Sequence, residues 1–298
     1  MPSVMLPTSR MEAHPPAETF NPQIAKGNWQ NFNLPLDQVY EAAAEWKQAL
    51  QGVDRAWLCW NVNPRWCAVQ QRLVKEVGWT PVVGFDPRAG APADAVPGAV
   101  VVDFNRLFHF PILQPHFVLE FAFLFTDRLA FWHSDLLCRT ETMRKLVAVF
   151  ESLHDGEMAA VLETGGLRNL FRPRQHRYWE LVGCTTRGAS ADQFRQGTGW
   201  WRNFWFHPNG PGGPEREKRA GYGWDFGAGI LYWRRELNGK VKDINQRLVE
   251  EGHCTRINYK GYKTIATQQD IRNLPQELDA NYSLDEVAGK LGISHLLG

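Results

Sequence analysis

The chain lacks the runs and spacings that would place it quickly. No stretch reaches the roughly eighteen consecutive apolar residues that a membrane helix needs, and the opening, Met1 to Pro16, is polar and Pro-containing. The reading is therefore a soluble, cytoplasmic protein with no membrane span. No C-x-x-C occurs among Cys59, Cys67, Cys138, Cys184 and Cys254, and their number is odd, so neither a disulfide framework nor a zinc ribbon is expected. Buried thiols in a reducing compartment fit them better. Neither G-x-G-x-x-G nor G-x-x-x-x-G-K-[ST] is present, so any phosphate must be held by other means. A net charge of +1 and a pI near 7.7 give no whole-chain attraction to nucleic acid, which is therefore not the expected partner.

What is present is globular and aromatic. Hydrophobic content of 44% against 22% charged residues excludes a disordered chain. Thirteen Trp residues are the one unusual count. Indole faces suit sugar rings or bases, and they equally suit the filling of a core.

Along the chain, residues 1–33 read as an extended arm, 34–273 as a single catalytic domain, and 274–298 as a tail with a short helix. Leu36, Val39, Tyr40, Ala43, Trp46 and Leu50 follow helical spacing up to Gly52. Arg55 to Trp60 is a strand, and Asn63-Pro64 caps and starts a helix that ends at Gly78. Trp79 to Phe85 is the next strand. A loop rich in Pro, Ala and Gly follows, and Ala99 to Asp103, apolar on both faces, reads as a third strand inside a parallel sheet. Further expected elements are a strand at 128–132, a helix over 140–150 capped by Thr140, and strands at 158–162 and 180–185. After them come a turn and strand from Tyr222 to Trp233, a helix from Lys242 to Glu251, a strand from His253 to Ile257, and a final helix capped by Ser283. A loop with Arg168, Arg172, Arg174, His176 and Arg177 could close over a diphosphate or simply face solvent.

The stretch of most chemical interest is Arg128-Leu-Ala-Phe-Trp-His-Ser-Asp135. An apolar strand runs straight into two metal-capable side chains, and i and i+2 project to one side of an extended backbone. His133 and Asp135 could therefore share a cation. They could also be a packed His and a capping acid.

In this setting the chain resembles nucleotide-sugar glycosyltransferases of the GT-A fold. Leu129 to Trp132 before His133-Ser134-Asp135 is similar to the family's apolar strand and D-x-D, His253 to its late metal-ligating His, and the strand–helix–strand opening to its nucleotide-binding layer. The resemblance covers roughly residues 54–265. It implies an α/β fold, a Rossmann-like GT-A type mixed sheet flanked by helices, with acceptor-side loops.

The likeness also implies a UDP- or GDP-linked sugar donor, a carbohydrate or other hydroxyl acceptor, and a divalent metal on His133, Asp135 and His253. The first acid of D-x-D is here His133, and imidazole favours Mn²⁺ over Mg²⁺. The same likeness assigns base or ribose contacts to Asp86 and Asp103, phosphate contacts to Lys260 and Lys263, the catalytic base to Asp225, and acceptor walls to Trp200, Trp201 and Trp224. Glu180 and Asp192 are secondary candidates for the base. A metal-dependent hydrolase using His133, Asp135 and His253, or a non-catalytic carbohydrate- or nucleic-acid-binding protein, would use the same residues differently.

Overall fold

The computed structural model describes residues 36–110, 113–163, 176–200, 221–222, 227–254 and 283–298. The 1–33 arm, Asp225, Trp201, Trp224, Lys260, Lys263 and the loop arginines 168, 172 and 174 lie outside these residues.

The element order is α1 (Leu36–Ala49), β1 (Ala56–Asn61), α2 (Pro64–Glu76), β2 (Thr80–Phe85), β3 (Val100–Val101), α3 (Pro115–Glu120), α4 (Ala122–Phe125) and β4 (Arg128–Trp132). It continues with α5 (Thr140–Glu151), β5 (Glu157–Leu162), β6 (Tyr178–Thr186), α6 (Arg187–Gln196), α7 (Ala228–Glu236), β7 (Lys240–Ile244) and α8 (Leu284–Leu291). The strands form one seven-stranded mixed sheet in the order β3-β2-β1-β4-β6-β5-β7. Strands β3, β2, β1 and β4 are mutually parallel, β6 runs against both β4 and β5, and β7 is parallel to β5. The fold class is α/β, a Rossmann-like mixed sheet flanked by helices.

Side-chain alternation along the central strands builds a core on each face of the sheet. All six residues of β1 are buried. Leu58 and Trp60 join the face covered by α1, with Leu36, Val39 and Trp46, while Trp57 and Cys59 join the face covered by α2, with Trp66, Val69 and Leu73. The Trp count is largely explained here. Trp57 packs on Trp79, Trp132 and Phe150 at centroid distances of 5.6, 5.1 and 5.2 Å, and Trp46, Trp60, Trp66, Trp200 and Trp233 are buried as well. Aromatic edges and faces at such distances add to the burial of area itself.

Several expected elements hold. Asn63 caps α2, its side chain accepting from the N–H groups of Arg65 and Trp66, with Pro64 in the first turn. Ser283 caps α8 by accepting from Glu286 N–H. All five cysteines are free and buried. Among the described residues no helix is long and apolar enough to cross a membrane.

Others change. The third strand is two residues long and lies at the sheet edge, paired only with β2, so Val101 is 40% exposed. Thr140 is the first residue of α5; Arg139 holds the capping position, and no side chain caps the helix there. The run expected as a strand up to Trp233 is helix α7, which starts beyond Gly227 at φ +80°. The helix expected from Lys242 is β7 followed by two short 3₁₀ turns, because pairing with β5 satisfies the backbone that the spacing of Ile244 and Leu248 left ambiguous. Helix α6 had no counterpart in the sequence reading, as its apolar periodicity is weak. His253 meets the sheet region through an isolated antiparallel bridge to Leu136, and the expected strand beyond Cys254 lies outside the described residues.

Candidate functional site

Strand order reverses at β1: the chain moves outward through β2 and β3, then returns to place β4 on the other side. In open α/β sheets this reversal leaves a crevice beyond the carboxyl ends of the two strands, where ligands bind. Asn61 ends β1 there, and His133 follows β4 there.

The loop after β4 is fixed by three neighbours. From β6, the Leu181 carbonyl accepts the His133 N–H at 2.9 Å. From α2, the fully buried Gln70 donates through Nε2 to the carbonyls of His133, at 2.7 Å, and Leu136, at 2.8 Å. From the far end of the chain, residues 252–254 run antiparallel against it: Leu137 N–H donates to the Gly252 carbonyl at 3.1 Å and Cys254 N–H to the Asp135 carbonyl at 2.9 Å. This last pairing brings His253 against Asp135. It requires glycine at 252, where a Cβ would sit 1.8 Å from the Leu137 carbonyl oxygen.

The result is a compact group. Asp135 Oδ1 lies 3.5 Å from His133 Nδ1 and 3.5 Å from His253 Nε2, and one donor atom from each residue fits within 4.8 Å of the others. Behind it, Glu180 Oε1 stands 3.2 Å from His133 Nε2 and 3.2 Å from His116 Nε2 of α3. The half-buried Trp179 of β6 walls one side, its ring 5.2 Å from that of His253 and 6.2 Å from that of His133. Arg177 lies over the Trp179 ring at 5.7 Å.

The electrostatics follow from two carboxylates set among imidazoles in a protected place. Burial alone would lower the His133 pKa, but the facing carboxylates of Asp135 and Glu180 push it up to about 9. Burial would raise Asp135, yet His133 and His253 hold it well below the usual carboxylate range. Glu180 is held low in the same way, against its burial, by His116, His133 and the charge of Arg177.

The geometry fits a divalent cation. A tetrahedral ion with bonds near 2.1 Å holds its ligand atoms about 3.4 Å apart, close to the two 3.5 Å separations observed. Asp135 Oδ1 is buried and receives no hydrogen bond among the described residues, although its neighbours are ring nitrogens. Two nitrogens and one oxygen form a donor set for a transition metal rather than Mg²⁺.

The other expected site residues divide. Asp86, at the end of β2, is buried, but Arg88 holds both of its oxygens, so it is not free to take a ribose as assigned. Asp103 is exposed and accepts from Asn105 N–H, forming a turn. Trp200 is 1% exposed, packed on Phe131 at 5.2 Å, and it fills the core instead of walling an acceptor. Glu180 is committed to two imidazoles, and Asp192 accepts from the Trp233 ring N–H at 2.7 Å, so neither is a free base. His116, Trp179 and Gln70 were missed in the sequence.

No protein-family model matches this chain, and no curated protein matches its sequence.

Proposed function

We propose that the protein is a metal-assisted glycosyltransferase that moves a sugar from a nucleoside diphosphate donor, UDP- or GDP-linked, to a hydroxyl acceptor. The observation that carries this reading is the placement of His133, Asp135 and His253 together at the end of β4, at the strand-order reversal of a Rossmann-like sheet. The parallel half, β3-β2-β1-β4, would form the donor side of a GT-A type fold, and the half built on β6, β5 and β7 the acceptor side.

In this reading His133 Nδ1, Asp135 Oδ1 and His253 Nε2 hold a divalent cation, Mn²⁺ in preference to Mg²⁺. Such an ion would offset the negative charge that gathers on the diphosphate as the anomeric bond breaks. Lys260 and Lys263 assist on the phosphates. Asp225 takes the proton of the acceptor hydroxyl, and Trp201 and Trp224 provide flat faces for the acceptor ring. Trp179 closes one wall of the cation site and restricts water.

The test is a thermal-shift and calorimetric titration with UDP, GDP, CMP and ADP, each with Mn²⁺, Mg²⁺ or chelator, followed by a donor-consumption assay. Binding of one diphosphate that needs Mn²⁺ and is lost in Asp135→Ala supports the reading. A protein that binds Mn²⁺ yet none of the nucleotides refutes it. The two-imidazole, one-carboxylate donor set would then favour a metal-dependent hydrolase, detected as metal-dependent cleavage without any nucleotide.

A further inference from the structure

We infer that Glu180, itself steadied by His116, is a positioning residue that fixes the ring orientation and tautomer of His133, and so sets how tightly the site takes a divalent cation. The inference rests on the metal reading above.

The two nitrogens of His133 face different partners. Nδ1 is directed to Asp135 at 3.5 Å and Nε2 to Glu180 at 3.2 Å. A neutral imidazole carries its proton on one nitrogen only, and the other is the metal-binding lone pair. Glu180 is buried and its Oε1 stands between two ring nitrogens, so a hydrogen at His133 Nε2 is the arrangement that gives the carboxylate a donor. That places the lone pair on Nδ1, beside Asp135 Oδ1, where His253 Nε2 also points.

Glu180 is in turn held. It projects from β6 next to Trp179, whose ring packs against both metal-capable imidazoles, and its Oε1 also faces His116 Nε2 at 3.2 Å. His116 stands at the start of α3 immediately after Pro115, so its backbone is set by the entry into that helix. The chain His116–Glu180–His133–Asp135–His253 thus alternates imidazole and carboxylate across five residues drawn from α3, β6, the loop after β4 and the segment after β7. A carboxylate behind a ligating imidazole restrains its rotation and raises its basicity, and its removal typically weakens metal binding by about tenfold to a hundredfold.

Charge balance points the same way. A divalent cation bound between the imidazoles would set its positive charge against the carboxylates of Asp135 and Glu180. Glu180 would then act on the cation both through His133 and directly through its charge.

The test uses the 298-residue chain and Co²⁺ alone. Co²⁺ affinity is measured by competition with a chromophoric chelator, and the ligand field is read from its visible absorption, for the wild type, Glu180→Gln and Glu180→Ala. Glutamine keeps an acceptor facing Nε2 without the charge. The expected result is a graded loss, about tenfold for Glu180→Gln and up to about a hundredfold for Glu180→Ala, with altered Co²⁺ bands. In the Zn²⁺-loaded wild type, ¹⁵N-resolved histidine spectra should show His133 metallated at Nδ1 and protonated at Nε2. The melting temperature of each metal-free variant identifies a merely structural loss, which would lower it without changing affinity or bands in the folded protein. If Glu180→Gln does not fold, His116→Asn carries the comparison, with a smaller loss expected. Wild-type affinity and bands in the folded variants, or His133 metallated at Nε2, overturn this inference alone. A wild type that binds no Co²⁺ overturns the metal reading with it.

Discussion

The replacement Gln70→Leu tests whether the site is held by the bonds that surround it. Leucine approximates the volume of glutamine and suits the interior, so no cavity of consequence forms. What is lost is a half-buried hydrogen bond to the carbonyl of His133 at 2.7 Å and a buried one to that of Leu136 at 2.8 Å. The Leu136 carbonyl, left without this donor, costs about 1–3 kcal/mol, while the His133 carbonyl keeps the Leu136 N–H at 3.2 Å. Gln70 Oε1 is itself buried without a hydrogen bond, so its removal returns part of that cost. A net loss of about 1–3 kcal/mol is expected. For a chain of 298 residues the entropy of unfolding is about 0.6 kcal/mol per degree, so the melting temperature should fall by roughly 2–5 °C.

Because both bonds end on the loop that carries His133 and Asp135, Co²⁺ affinity should also fall, by about tenfold. Gln71→Leu is the control. Gln71 is equally buried on the same helix, but its Oε1 accepts from Val96 N–H at 2.9 Å, away from the site. It should cost stability in chemical denaturation and leave metal affinity as in the wild type. A Gln70→Leu protein as stable as wild type, or one whose metal affinity falls no further than that of Gln71→Leu, would refute the reasoning.

Three further outcomes are expected. Asp135→Asn should abolish the metal-dependent rise in melting temperature, which in the wild type at a hundredfold excess over Kd is worth about 2.7 kcal/mol, while the exposed Asp103→Asn keeps it; an Asp135→Asn protein with a full shift would sink the site. Gly252→Ala should lower both stability and metal affinity, since its Cβ would meet the Leu137 carbonyl oxygen at 1.8 Å and part the two segments that bring His253 to Asp135; calorimetric metal titration showing wild-type affinity would count against that pairing. Burial pushes the thiols of Cys67, Cys138 and Cys254 up to about 12, and Cys59 and Cys184 upward too, so a disulfide reagent at pH 8 should modify none of the five in the native protein and all five in denaturant. Rapid native-state labelling would contradict their burial.

The residues that the sequence made legible are those whose signal is local. Asn63-Pro64 at the start of α2, Ser283 before α8 and the apolar run 129–132 depend on neighbours a few positions away, and each stands as read. His133 and Asp135 were legible for the same reason, as adjacent metal-capable groups at a strand end. The sequence alone thus determined an α/β layer with a polar cluster beyond one strand. Three-dimensional structure decided the rest, because it depends on partners far along the chain. Whether 240–251 becomes helix or strand is settled by an edge of β5 open to pairing. Whether Trp200 faces a ligand or the core is settled by Phe131 and Gly227. Glu180 reads as a free carboxylate until His116 and His133 close on it, and His253 reaches Asp135 only because glycine lets two backbone segments meet. Local spacing fixes which groups are near one another along the chain; packing of distant segments fixes which of them share a charge.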